Sequence, residues 1–320
     1  VVPEQAQPDP DFPTVAFPNP EEPHAMDRVL SLAQHENADL AIAHDPDADR
    51  LAVAAPDAQG AWHLLTGNEV GALLGDYLLA LSSPDEQRLV LSTIVSSPLL
   101  GRIAEAYGAR WEHTLTGFKW LMNRAHELNK EHYTFVFAYE EALGYAVSDA
   151  VADKDGISAA ILLMSLASKL KHSGQTLYTQ LESLWRRFGV YQSLLGSIEM
   201  HRPEEVMAMD ATLSHLRKHP PAEWAHHPIE AVIDYENQTR ILADGMRSSL
   251  KLPSSNVIGF ELKGHHRVML RPSGTEPKMK IYIDICEPLN SEGSLSHAKT
   301  AASQKAHQVL NWTLDYLKAH

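Results

Sequence analysis

The heptapeptide His44–Arg50, HDPDADR, lies between two short apolar runs, Leu40–Ala43 and Leu51–Ala55. It carries a carboxylate at every second position, Asp45, Asp47 and Asp49, and Arg50 follows at once. Side chains two apart in an extended chain point the same way. Three carboxylates on one side of a strand–loop–strand repel one another unless something cationic sits among them. Oxygen ligands suit a hard divalent ion, Mg²⁺ or Ca²⁺, whereas zinc would call for His or Cys. An EF-hand loop needs Gly at its sixth position and Glu at its twelfth. Arg50 and Pro56 stand there, which excludes it. An acidic surface turn remains the other reading, since Asp45-Pro46 and Asp47-Ala48 are both good turn chemistry.

A chain of 320 residues exceeds one ordinary core and predicts two or three domains. The formal charge of −14 argues against nonspecific binding to nucleic-acid phosphates, so an anionic substrate would need local basic pockets. No apolar run approaches the length of a membrane span, so none is expected. The single cysteine, Cys286, excludes an internal disulfide framework and fits a reducing cytoplasm. The opening residues carry no signal-peptide pattern, and the start at Val1 leads us to expect sequence ahead of it. The paired histidines His226-His227 and His265-His266 show no metal-ligand spacing and read as surface residues.

Residues 1–23 hold seven prolines and read as extended chain lying along a surface. Helical spacing appears at 25–33. Thr66-Gly67-Asn68-Glu69 has the form of a capping box, and Val70, Leu73, Leu74, Tyr77, Leu78 and Leu81 mark one helix face behind it. Residues 82–85 read as a linker. Strands at 89–95 and 133–138 alternate with helices at 98–107, from 118 onward, at 157–170 and at 177–188, which argues for a mainly parallel sheet. After about Tyr191 the pattern changes to a helix at 203–218, strands at 231–235, 257–262, 267–270 and 278–286, and a terminal helix at 296–317. The fold class is therefore mixed, mainly parallel α/β domains followed by a C-terminal α+β domain with an antiparallel sheet.

Arg271-Pro272-Ser273-Gly274-Thr275-Glu276-Pro277 joins two of those strands. It offers a guanidinium, two hydroxyls and a glycine that lets backbone N–H groups converge on an anion. Composition alone leaves two readings, a phosphate nest and an ordinary hairpin turn. Glu140 and Glu141 in YEEALGY read by themselves as a solvated pair, though a carboxylate can accept from vicinal hydroxyls. Lys119 in TGFK and Lys154 in DKDG read singly as surface charges.

Together these stretches resemble the α-D-phosphohexomutases, in the family's order and over essentially the whole chain. HDPDADR resembles their metal-binding loop DGDGDR or DGDADR, with Pro46 for the first glycine. RPSGTEP looks like their phosphate-binding loop, YEEALGY like their sugar-binding loop and TGFK like their TGxK loop. The variants YEEALGY, DKDGISAA and TGFKW look most like the branch with phosphopentomutase and glucose-1,6-bisphosphate synthase. The resemblance implies Mg²⁺ on Asp45, Asp47 and Asp49, with Arg50 in support. It implies substrate contacts from Thr116, Gly117, Lys119, Glu140, Lys154, Arg271, Ser273, Gly274 and Thr275. Ala142 departs from the family, where a serine partners the first Glu.

The resemblance further implies family domain 2 ending at 1–83, domain 3 at 84–190 and domain 4 at 191–320. The family's phosphoserine loop, TASHNP-like, is absent: Ser214-His215 and Ser296-His297 lack its flanking residues. The expected activity is interconversion of hexose 1- and 6-phosphates through a sugar bisphosphate such as glucose 1,6-bisphosphate, here in a fragment inactive alone. The expected partners are a phosphosugar and the missing N-terminal domain, with neither nucleic acid nor membrane. A phosphopentomutase or bisphosphate synthase, and a phosphosugar-binding module without chemistry, are the alternatives.

Overall fold

The computed structural model describes residues 1–274, 276–289 and 293–319. The chain forms two compact units, residues 1–184 and 185–320. In the first, α1 (Asp27–His35) precedes a meander of β1 (Ala41–Ala43), β2 (Ala52–Pro56) and β3 (Trp62–Leu65), paired in that order and antiparallel throughout. That sheet departs from the mainly parallel expectation. Its strands are too close in sequence to leave room for crossover helices.

The capping box is present as read. The Thr66 hydroxyl accepts from the Glu69 N–H (3.3 Å), and the Glu69 carboxylate accepts from the Thr66 N–H (2.7 Å). It opens α2 (Gly67–Leu81). Val70, Leu73, Leu74 and Tyr77 are buried as expected, but Leu81 is 58% exposed and Leu79 is buried instead. The following strands and helices are β4 (Arg88–Thr93), α3 (Leu99–Ala106), β5 (Arg110–Thr114), α4 (Phe118–Asn129), β6 (Thr134–Glu140), β7 (Gly144–Ala146), α5 (Gly156–His172) and α6 (Leu177–Phe188). The sheet order is β5-β4-β6-β7; β4 runs parallel to β5 and β6, and β7 returns antiparallel as a short hairpin from β6. Every residue of β4 is buried, as suits a central parallel strand. Helix α2 packs against α3 and β6.

The second unit is built on an antiparallel sheet. Its strands are β8 (Val190–Glu199), β9 (Glu223–Trp224), β10 (His227–Asp234), β11 (Thr239–Leu242), β12 (Arg247–Ser249), β13 (Ile258–Leu262), β14 (His266–Pro272) and β15 (Lys278–Glu287). The order is β12-β11-β10-β13-β14-β15-β8, with β9 paired to β10. Helix α7 (Pro203–Lys218) has the bounds the sequence predicts, and α8 (Leu295–Ala319) packs on β8 and β15. On β15, Met279, Ile281, Ile283 and Ile285 are all fully buried, as their alternation predicts. Trp224 anchors the core, stacked on Phe260 at 4.5 Å and donating from Nε1 to the Thr313 hydroxyl at 2.8 Å.

His266 corrects the surface reading of the paired histidines. It is 6% exposed, and its Nδ1 accepts the Cys286 N–H at 3.2 Å. Its neighbour His265 is exposed. His265 lies in the turn ahead of β14, at φ +63°, whereas His266 is the strand's first residue, so the adjacent histidines meet different surroundings.

Candidate active site

The loop between β1 and β2 brings its three aspartates together. One carboxylate oxygen of each lies within 4.8 Å of those of the other two. Asp45 is buried, Asp49 half-buried and Asp47 exposed. Arg50 folds back on Asp45: its Nε donates to Oδ2 at 2.8 Å and its backbone N–H to Oδ1 at 3.1 Å. Burial pushes the Asp45 carboxyl upward, but these Arg50 contacts outweigh it and hold the group below its ordinary value. Lys154 Nζ lies 2.6 Å from Asp49 Oδ2. Burial alone would lower the Lys154 ammonium; the bond and charge of Asp49 reverse that and raise it. Asp47 has no cationic partner among the described residues. Its hydrogen bond to Asp45 and the charges of Asp45 and Asp49 push its carboxyl up. An all-oxygen donor set that is short of positive charge at its open end fits a hard divalent ion.

The loop's shape has three supports that its spacing does not disclose. Ala48 adopts φ +58°, a left-handed position inside the turn, and its N–H donates to the Asp45 carbonyl at 3.0 Å. His44 Nδ1 lies 2.8 Å from the Arg50 carbonyl, bridging the two ends of the loop. Helix α5 then docks on the loop's backbone. The Asp155 carboxylate caps the helix, accepting from the Ile157 N–H at 2.9 Å, as N-cap aspartates commonly do. The Gly156 N–H donates to the Ala48 carbonyl at 3.2 Å. The Asp-Gly pair ahead of an apolar helix is a readable start signal, but nothing in sequence says what the helix start rests upon.

The turn between β6 and β7 reaches the same loop. Arg50 and Gly144 form an isolated antiparallel bridge, and the Leu51 N–H donates to the Leu143 carbonyl at 3.0 Å. Glu140 Oε1 accepts from the Gly117 N–H at 2.6 Å. Gly117 sits at φ +112°. L side chains rarely adopt that conformation, and it turns the Gly117 N–H towards Glu140. Burial raises the Glu140 carboxyl above its ordinary value, against the pull of the Gly117 N–H and of Lys154. Thr116 is half-buried beside Gly117, whereas Lys119 is exposed, with Nζ 5.4 Å from the Trp120 ring centre. So Asp45, Asp47, Asp49, Arg50 and Lys154 meet directly, Glu140 and Gly117 meet alongside, and Lys119 stands apart.

In the second unit, β14 and β15 pair through Arg271↔Lys280 and Pro272↔Met279. The Ser273 N–H donates to the Lys278 carbonyl at 2.8 Å, closing the neck of the loop. Arg271 and Ser273 are half-buried, Gly274 is exposed, and Arg271 has no carboxylate partner among the described residues. Thr275 lies outside the described residues.

Comparison with known proteins decides the family. The family model described as "Phosphoglucomutase/phosphomannomutase, alpha/beta/alpha domain III" matches residues 66–188, and that for domain II matches residues 1–60. The chain is 43% identical over 285 residues to a Haemophilus influenzae protein named "Probable phosphomannomutase". The chain belongs to the α-D-phosphohexomutase superfamily. A Staphylococcus aureus phosphoglucomutase is 36% identical over 282 residues. These matches take in 89% and 88% of this chain but 54% and 51% of the relatives, so the chain spans about half their length. Among solved structures, pp63/parafusin from Paramecium matches with a TM-score of 0.61 at 17% identity, over 93% of this chain and 50% of that one. A phosphoglucomutase/phosphomannomutase family protein from Burkholderia thailandensis gives 0.58 at 14% identity, over 95% and 52%. At such identities they support the phosphohexomutase fold alone.

Proposed function

We propose that this chain is the sugar- and phosphate-handling part of a phosphosugar mutase of the phosphoglucomutase/phosphomannomutase type. The carrying observation is the carboxylate cluster with Arg50 and Lys154 in contact and Glu140 beside it. Asp45, Asp47 and Asp49 would hold Mg²⁺, which when bound neutralises charge on phosphoryl oxygens. Glu140 keeps Oε1 on Gly117 and has Oε2 for sugar hydroxyls. Lys154 and Arg50 add positive charge against the chain's net −14. Arg271, Ser273 and Gly274, with Thr275, supply a phosphate contact. The matches at 1–60 and 66–188 support reading the chain as parts of family domains 2 and 3, and residues 191–320 would then be domain 4. The phosphoserine would come from outside these residues, so the purified chain should not convert glucose 1-phosphate to glucose 6-phosphate.

Two measurements test this reading. Calorimetry with Mg²⁺ should show weak binding that Asp47→Ala abolishes; unchanged affinity in that variant would remove the metal assignment. In a polypeptide that includes the serine-bearing segment, Glu140→Ala should lower kcat/KM on glucose, mannose and ribose 1-phosphates by about tenfold or more, since a bond to a charged acceptor is lost. Ala142→Ser should shift preference among them by about tenfold or less, one neutral hydrogen bond's worth. Values within about twofold of the parent for Glu140→Ala, well inside one such bond, would withdraw Glu140 as a sugar ligand.

A further inference from the structure

Glu141, the second acid of YEEALGY, is held by a closed circuit of hydrogen bonds. The Thr93 and Ser96 hydroxyls, both fully buried, each donate to its Oε2 at 2.9 Å. Those hydroxyls lie 2.7 Å apart, but each has a single proton to give. With both protons on the carboxylate, the oxygens accept instead: Thr93 from the Ser96 N–H and Ser96 from the Glu141 N–H, both at 3.2 Å. Every group in the circuit is satisfied, and its acceptor is a charged one. Two residues earlier, the Tyr139 hydroxyl lies 3.0 Å from Asn68 Oδ1 and 3.3 Å from the Ser97 carbonyl. Asn68 Oδ1 in turn accepts the Ser97 N–H at 2.8 Å.

Alternate side chains of an extended strand share a face. Tyr139 and Glu141 both face the turn at Ser96-Ser97, and Glu140 faces the other way, towards Gly117. The residues on either side of Glu140 are thus bound to one buried turn, which fixes the backbone from which Glu140 reaches the Gly117 N–H. We infer that Glu141, bound by Thr93 and Ser96, is a positioning residue that sets the direction of the Glu140 carboxylate. This rests on the reading of Glu140 as a sugar ligand. The pair of acids then divides its work: one carboxylate faces the substrate and the other anchors its neighbour.

The test compares Glu141→Ala, Ser96→Ala and Glu141→Gln with the parent chain, using two readouts. Hydrogen exchange at the Gly117 amide reports the Glu140 bond without any substrate. It should speed by about tenfold in Glu141→Ala and Ser96→Ala, the scale of one lost hydrogen bond, while the β4 amide of Val90 keeps its protection. Calorimetry with glucose 1,6-bisphosphate and Mg²⁺ should show affinity weakened by about tenfold in the same two variants. Glu141→Gln keeps an oxygen that accepts both hydroxyls, and should restore both readouts to within about twofold of the parent. Gly117 exchange unchanged in Glu141→Ala, or no rescue by Glu141→Gln, overturns the inference. If Glu141→Ala does not fold, Ser96→Ala decides by the same readouts. A parent that binds no bisphosphate would sink the sugar-ligand reading alone, because Gly117 exchange still decides whether Glu141 positions Glu140.

Discussion

Gly156→Ala should lower the stability of residues 1–184 by about 1–3 kcal/mol, the usual cost of forcing a methyl into a packed site. Propensity alone predicts the opposite sign, because alanine at a helical position gains about 0.5–1 kcal/mol over glycine. Contact should win here. A Cβ on Gly156 would lie 2.5 Å from the Arg50 carbonyl oxygen, 2.7 Å from that of Ala48 and 2.8 Å from His44 Nδ1. Two of these are backbone atoms of the aspartate loop, and the third is tied to Arg50 by its own hydrogen bond. None is the free end of a flexible side chain. The loop must move off the helix, and with it the three carboxylates. Urea unfolding should therefore shift to lower denaturant, and Mg²⁺ binding should weaken in the same variant. A stabilised Gly156→Ala protein with unchanged Mg²⁺ affinity would show that the helix start does not brace the loop.

That brace marks where the sequence stops being legible. The aspartate spacing, the capping box at Thr66 and the bounds of α7 are all readable, because each is a local pattern with a local cause. The packing of α5 is not. Its buried positions mix Ala159, Ala160 and Ala167 with Leu163, Leu166 and Leu170, while Ile157, Ile161 and Met164 are each at least 45% exposed. A helix apolar on every side gives periodicity nothing to separate. Strands β5 and β8 escape a sequence reading for a related reason. Only Thr114 of β5 is buried, and β8 puts Leu195 outward at 60% exposure, so neither alternates cleanly. The circuit around Glu141 is invisible in principle, since Thr93 and Ser96 lie far from it along the chain and carry no motif.

His266 should make the second unit sensitive to mild acid. Burial lowers its imidazole to about 4, with the Lys305 and His227 charges adding to the effect and Glu287 opposing it. The geometry agrees: protonation at Nδ1 would break the bond it accepts from the Cys286 N–H. Unfolded, the same ring has its ordinary value of about 6.5. Between those values the unfolded chain binds a proton that the folded chain refuses, so stability falls as pH falls. The loss begins near about pH 6.5, is complete near about pH 4, and amounts to about 3 kcal/mol at roughly 1.4 kcal/mol per pH unit. His227, whose ring lies 5.1 Å from that of His266, is also lowered by burial and acts in the same direction. Native carboxylates with lowered values weaken the fold mostly below about pH 5, so the interval from about 6.5 to 5 isolates the histidine contribution. Hydrogen exchange at the β14 amides Val268 and Leu270 measures the opening free energy of this unit across that interval. In His266→Gln, which has no titrating ring, the decline with pH should flatten. An equally steep decline in that variant would place the acid sensitivity elsewhere.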